Sequence, residues 1–183
     1  MSTTLNVLDS NTAEHKAVTL GDYGEVETID VDHQGLQDGR AYSCCAISLT
    51  VANGATFAVA GDPTASPYST GHLSYEVATG GDAVLSLREG ITYSGGTPCV
   101  PWNMKRTVAT PSVVSLVADP TITASGTLLC YKLIPGGTVA SMGGGVKGGL
   151  IVDTTKKYAL MVYNISGNTE PIGITVTWIA PNE

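Results

Sequence analysis

The sequence predicts an all-β fold: a jelly-roll-like β-sandwich with an extended N-terminal arm. Three observations predict it. Apolar residues recur with a period of two rather than 3.6 along most of the chain. Turn residues separate these runs roughly every 8–12 positions. Finally, 22 glycines and nine prolines in 183 residues leave no long stretch with a helical period.

The elements follow in order. Residues 1–27 carry no sustained apolar pattern and read as an extended acidic arm, with one short strand near Ala17-Val18-Thr19-Leu20; the sandwich domain is expected over 28–183. Asp38-Gly39 is a turn. Cys45, Ile47, Leu49 and Val51 then share one face of a strand, and Asn53-Gly54 follows. Asn-Gly favours a type I′ hairpin turn, which predicts Ala55–Ala60 as the return strand. Leu73, Tyr75 and Val77 open the next strand, Gly80-Gly81 turns it, and Ala83–Leu87 returns. A polar loop holds Ser94–Pro98 and Pro101-Trp102-Asn103. Strands follow at Ser112–Ala118, Thr121–Thr123 and Thr127–Ile134, and the segment 136–149, with seven glycines, reads as a loop. Leu150–Val152 is a strand. Tyr158–Ile165 and Gly173–Ala180, joined by Ser166-Gly167-Asn168, form a closing hairpin, and the buried face ending in Trp178 is expected at the centre of a sheet.

Charge and composition narrow the function. Charged residues make up 14% of the chain, against about 25% in ordinary domains, which suits an extensive contact layer. The net charge of −7 argues against nucleic acid, which needs a basic footprint. Eight of the sixteen acids fall in the first forty residues, offset there only by Lys16 and Arg40. That segment reads either as a solvated tail or as an acidic arm that lies on a basic partner. No apolar run approaches the roughly 18 residues of a membrane span, and no secretory h-region follows Met1–Thr4. Cys44, Cys45, Cys99 and Cys130 are therefore expected as reduced thiols, with a Cys99–Cys130 bridge left open. Neighbouring Cys44 and Cys45 should point to opposite faces of their strand, and the absence of Cys-x-x-Cys spacing argues against zinc.

Candidate chemistry is sparse, and the expectation is a protein without enzymatic activity, cofactor or metal. Gly143–Gly148 matches G-x-G-x-x-G in form, but the following Leu150-Ile151-Val152 reads as strand, whereas a dinucleotide site needs a helix there. Asp30, Asp32 and His33 offer oxygen ligands of the calcium type, though a solvated turn explains them as well. Glu76, Asp82 and Glu89 sit near the Gly80-Gly81 turn with nothing marking them as an acid–base pair. Trp102, with Lys105 and Arg106, is either a loop anchor or a contact for a sugar or an acidic surface.

Several segments carry a family resemblance. They are Thr28–His33, Asp38–Tyr42, Ser94–Pro98, Pro101–Asn103 with Arg106, Asp119–Thr123, Gly126–Leu129, Ile134–Gly137, Lys157-Tyr158, Asn164–Gly167 and Ile174-x-Val176-x-Trp178. In that order they resemble a family of tailed-bacteriophage virion structural proteins, the head decoration or cement proteins. The resemblance implies a non-enzymatic protein on the capsid exterior, assembled in the host bacterial cytoplasm. It implies the major capsid protein and further copies of itself, as a homotrimer, for partners, with no membrane or nucleic acid. Under that reading Val18, Leu20, Asp22, Glu25 and Glu27 of the arm are the shell contacts. The alternative is a virion fibre or carbohydrate-binding module that contacts host glycans through Trp102 and Tyr93.

Overall fold

The computed structural model describes residues 4–8, 15–19, 36, 38–107, 112–137, 139–142 and 150–180, and its regular elements are β-strands. Contacts divide the chain into two units, Met1–Gln34 and Gly35–Glu183. In the first unit, β1 (Thr4–Leu8) and β2 (His15–Thr19) pair antiparallel, with Leu5 opposite Val18. The arm thus holds a two-stranded ribbon rather than the single strand its sequence suggests.

The second unit contains two six-stranded sheets. One has the order β13-β5-β16-β3-β9, with β14 also on β5; the other runs β12-β6-β15-β4-β10-β8. The first is built from β3 (Ala41–Val51), β5 (Thr70–Thr79), β9 (Trp102–Asn103), β13 (Val139–Met142), β14 (Leu150–Asp153) and β16 (Glu170–Ile179). The second uses β4 (Thr56–Asp62), β6 (Ala83–Glu89), β8 (Thr97–Cys99), β10 (Ser115–Ala118), β12 (Thr127–Ile134) and β15 (Tyr158–Asn164). A small ribbon pairs β7 (Thr92–Ser94) with β11 (Thr121–Ala124).

This order is a rolled-up hairpin. β3 pairs with β16, β4 with β15, β5 with β13 and β14, and β6 with β12, all antiparallel. Successive strands of the roll alternate between the sheets, except that β6 passes to its neighbour β12 through residues 90–126 and that β13 and β14 both lie along β5. The fold is a jelly roll, as the spacing of strands and turns predicts. Strand β16 lies at the middle of its sheet, between β3 and β5, as expected for a strand whose inner face ends in Trp178.

The predicted hairpins take another form. Asn53-Gly54, Gly80-Gly81 and Ser166–Asn168 are turns, but each carries the chain from one sheet to the other. Positive φ occurs at Gly54 (78°) and not at Asn53, so the turn is not type I′. These corners pack on one another. A Cβ on Gly81 would stand 2.5 Å from the Ser166 Cβ, and one on Gly136 would stand 2.8 Å from the Gly81 Cα. Only bare backbone fits where the corner turns converge.

The core lies between the sheets. Leu85, Leu87, Ile134, Ile172, Ile174, Val77 and Val162 are fully buried there, and each large apolar side chain contributes about 1.5–3 kcal/mol by leaving water. On β3 the inward face is Tyr42, Cys44 and Ala46, while Cys45, Ile47 and Leu49 point out. Cys44 and Cys45 take opposite faces as expected. Val51 leaves the outward set because the register against β16 shifts between Glu170 and Ile172 and returns it to the core. A second, small cluster of Ala60, Ile91 and Ala159, flanked by Tyr93, Ile122 and Met161, lies where the β7–β11 ribbon meets the outer face of the β4–β15 pair. The segment expected to be loop over 136–149 contains β13.

Candidate functional site

The residues that sequence reasoning marks for chemistry are dispersed. Asp82 and Glu89 flank opposite ends of β6, and each has a structural partner: Asp82 Oδ1 accepts from the Gly136 N–H at 2.7 Å, and Lys156 Nζ lies 3.3 Å from Glu89 Oε1. Glu76 faces outward from β5, opposite Thr175. Among the described residues no group of three or more His, Cys, Asp or Glu is placed to hold a metal ion. The calcium-type candidates Asp30, Asp32 and His33, and the glycine segment 143–149, lie outside the described residues, as do Leu20, Asp22, Glu25 and Glu27. Val18 sits within β2. No helix of the described residues is long and apolar enough to cross a membrane.

Trp102 and Tyr93 do not share a site. Trp102 lies on the edge strand β9 opposite Ser43, on the outer face of the β3 sheet, with the Arg106 guanidinium 5.9 Å from its ring. Tyr93 belongs to the β7–β11 ribbon, packs beside Ala60 and Ala159 on the other sheet, and has Lys157 Nζ 5.4 Å from its ring. The residue after Trp102, Asn103, is bonded to the backbone on both sides of it. Its buried amide donates to the Gly39 carbonyl at 2.7 Å, and its Oδ1 accepts from the Lys105 N–H at 2.9 Å. A polar residue between Trp102 and Met104 gave no sequence signal of that role.

One electrostatic cluster stands out beside Tyr93. Lys157 Nζ is 2.7 Å from Asp62 Oδ2. Burial alone would raise the Asp62 carboxyl, but hydrogen bonds from Lys157 and Thr64 outweigh it and hold the group below its ordinary value. The same bond raises the Lys157 ammonium. Asp62, Lys157 and Tyr93 thereby tie β4, the approach to β15 and the ribbon together, which is a structural task.

The thiols differ in burial. All four cysteines are free, and Cys99 and Cys130 sit on β8 and β12, the opposite edge strands of one sheet, so no bridge joins them. Burial first, then the neighbouring Cys99, pushes the Cys44 thiol up to about 12. Between the sheets an apolar gap of about 30 Å³ is lined by Val59, Gly61, Leu87, Leu116, Leu160 and Trp178 among others. Its lining is almost wholly apolar and offers a water no set of polar partners.

What the fold does display is apolar exterior. Ile47 (65% exposed) and Leu49 (75%) project from the outer face of β3. Their neighbours on that face are small or uncharged: Gly173 lies opposite Ile47, with Ala78 beyond it, and Thr175 lies opposite Cys45. Glu76 is the carboxylate in this set. The edge strand β12 exposes Leu128, Leu129, Tyr131 and Leu133. Periodicity found both strands but did not say which side of each would face the partner sheet. No protein-family model matches the chain, and a search of curated proteins returns no match.

Proposed function

We propose that this protein is a bacteriophage capsid decoration protein, bound in several copies to the outer surface of a shell built by the major capsid protein. The observation that carries this reading is the outer face of the β3 sheet, where Ile47 and Leu49 stand exposed beside Gly173 and Ala78, with the carboxylate of Glu76 further along the face. Exposed apolar side chains gathered on one sheet face are the kind of surface that marks protein contact. Several copies joined together bind a repeating shell with far greater avidity than one, because later contacts form at high effective concentration. The arm over residues 1–27, with five acids, adds a segment that complements a basic surface.

Binding to purified empty shells tests the reading. Ile47→Lys and Leu49→Lys should each weaken shell binding by tenfold or more while leaving the circular dichroism spectrum unchanged. A chain starting at Glu27 should bind more weakly than the full chain. Equal binding by all of these, or no binding by the full chain, refutes the proposal.

A further inference from the structure

We propose that Cys44 and Cys99 form an intrachain disulfide when the folded protein meets a peroxide, a covalent clasp between the two sheets.

The topology carries these two thiols to one corner of the sandwich. Cys44 lies on the inner face of β3, opposite Val176 of β16. Cys99 ends β8, opposite Leu116 of β10, and directly opposed residues of an antiparallel pair share a face. Leu116 belongs to the core, so Cys99 also faces inward, and it packs against the same apolar cluster that holds Cys44. The chain then crosses between the sheets in two residues, Val100 and Pro101. Its next strand, β9, sets Trp102 opposite Ser43, the neighbour of Cys44.

Packed sheets stand about 10 Å apart. Here Cα atoms of β3 and β8 come within 8 Å of each other. A disulfide spans Cα atoms about 4.4–6.8 Å apart, and β8 is a three-residue edge strand held by one neighbour, so a small shift of it closes the difference. The thiols already interact, since a side-chain bond with Cys99 is among the causes that hold the Cys44 thiol up at about 12. The other two cysteines are placed elsewhere. Cys45 is exposed on the outer face of β3, and Cys130, on the far edge strand, has the Tyr75 hydroxyl 3.9 Å from its sulfur.

The order of events follows from exposure. Cys99 is half-buried on an edge, whereas Cys44 is buried and stays protonated. The Cys99 sulfur attacks the peroxide, the O–O bond breaks, and Cys99 becomes a sulfenic acid as one water leaves. The Cys44 sulfur then attacks the Cys99 sulfur. The S–S bond forms, the S–O bond breaks, and the departing hydroxyl takes the Cys44 proton as a second water. Two thiols are oxidised and one hydrogen peroxide is reduced. The bond ties β3 to β8, so a chain that passes from a reducing to an oxidising medium is hardened without a new partner.

Nothing in this pairing depends on what the exterior binds. Its test is dilute hydrogen peroxide on the reduced, folded full chain, followed by peptide mapping without reductant. Peptides holding Cys44 and Cys99 should appear joined, the bridged chain should be two hydrogens lighter, and dithiothreitol should separate the peptides. The pair should still form when Cys45 and Cys130 are both serine. In that background oxidation should raise the urea midpoint by roughly 1 M, because the bond closes a long loop of the unfolded chain. Adding Cys99→Ser should abolish the rise, and adding Cys44→Ser should instead leave Cys99 as a sulfenic acid that dimedone traps. No joined peptide, a Cys99–Cys130 pair in its place, joining only after unfolding in urea, or a midpoint that does not rise overturns the proposal.

Discussion

The indole of Trp178 occupies the space where Gly71 lacks a side chain. A Cβ at position 71 would stand 2.1 Å from Trp178 Cζ2 and 2.3 Å from Cη2. Trp178 is 3% exposed and belongs to the central strand, so its ring has nowhere to retreat. Gly71→Ala should destabilise the fold by about 3 kcal/mol through overpacking, read as a lowered urea midpoint. Gly173→Ala is the control: its Cβ would meet only Ile47 Cγ1, at 3.8 Å, and the change should stay within about 0.5 kcal/mol.

Asn164 is 1% exposed and fully bonded. Its amide donates to the carbonyls of Val51 and Asn168, both at 2.8 Å, and its Oδ1 accepts from the Ser166 N–H at 2.9 Å. One side chain thus fastens the end of β3 to the turn between β15 and β16. Asn164→Leu should cost about 3 kcal/mol, since it strands buried carbonyls as well as losing bonds. Equilibrium denaturation monitored by tryptophan fluorescence measures the loss.

The thiols should separate by reactivity. Cys45 is exposed and Cys44 is buried, its thiol pushed up to about 12. At neutral pH an alkylating reagent should modify Cys45 in the native chain and reach Cys44 only after unfolding. Peptide mass mapping of briefly treated protein checks the order, and reduction should not change the mass of the untreated chain.

The Asp62–Lys157 pair sets a small dependence on pH. The Asp62 carboxyl is held below its ordinary value, so its contribution is complete above the unfolded value of about 3.9 and is lost as pH falls through the lower folded value. The Lys157 ammonium is held above its ordinary value. Its contribution is complete below about 10.4 and is lost as pH rises through the higher folded value. Because Lys157 is 41% exposed, the pair should contribute no more than about 0.5 kcal/mol. Asp62→Asn should therefore lower the urea midpoint slightly near neutrality and leave it unchanged in acid below the folded value of Asp62.

Much of the fold could be read from local chemistry. Alternation located β5, β6, β12, β15 and β16, and the run ending in Trp178 identified the strand at the centre of a sheet. The destination of the turns could not be read. Asn53-Gly54 and Gly80-Gly81 reverse the chain in either a hairpin or a corner between sheets, and the choice rests on partners far along the chain, Asn164 for the first and Ser166 and Pro171 for the second. The face of β3 was obscured for a related reason. Its outward Ile47 and Leu49 are bulkier than its inward Cys44 and Ala46, because the inner face meets a sheet already filled by large side chains. Asn103 and Asn164 carried no sign of their burial: a buried amide looks in sequence like any loop amide until the carbonyls around it are known.

The position of β16 governs how the chain can reach this structure. The strand that fills the middle of the β3 sheet comes after all the others in synthesis, and β3 and β5 have no common neighbour until it arrives. A nascent polypeptide that has not yet produced Trp178 must carry two unzipped sheet halves with greasy flanks. Closing that sheet brings together segments that lie far apart along the polypeptide, a topology of the slowly ordering kind.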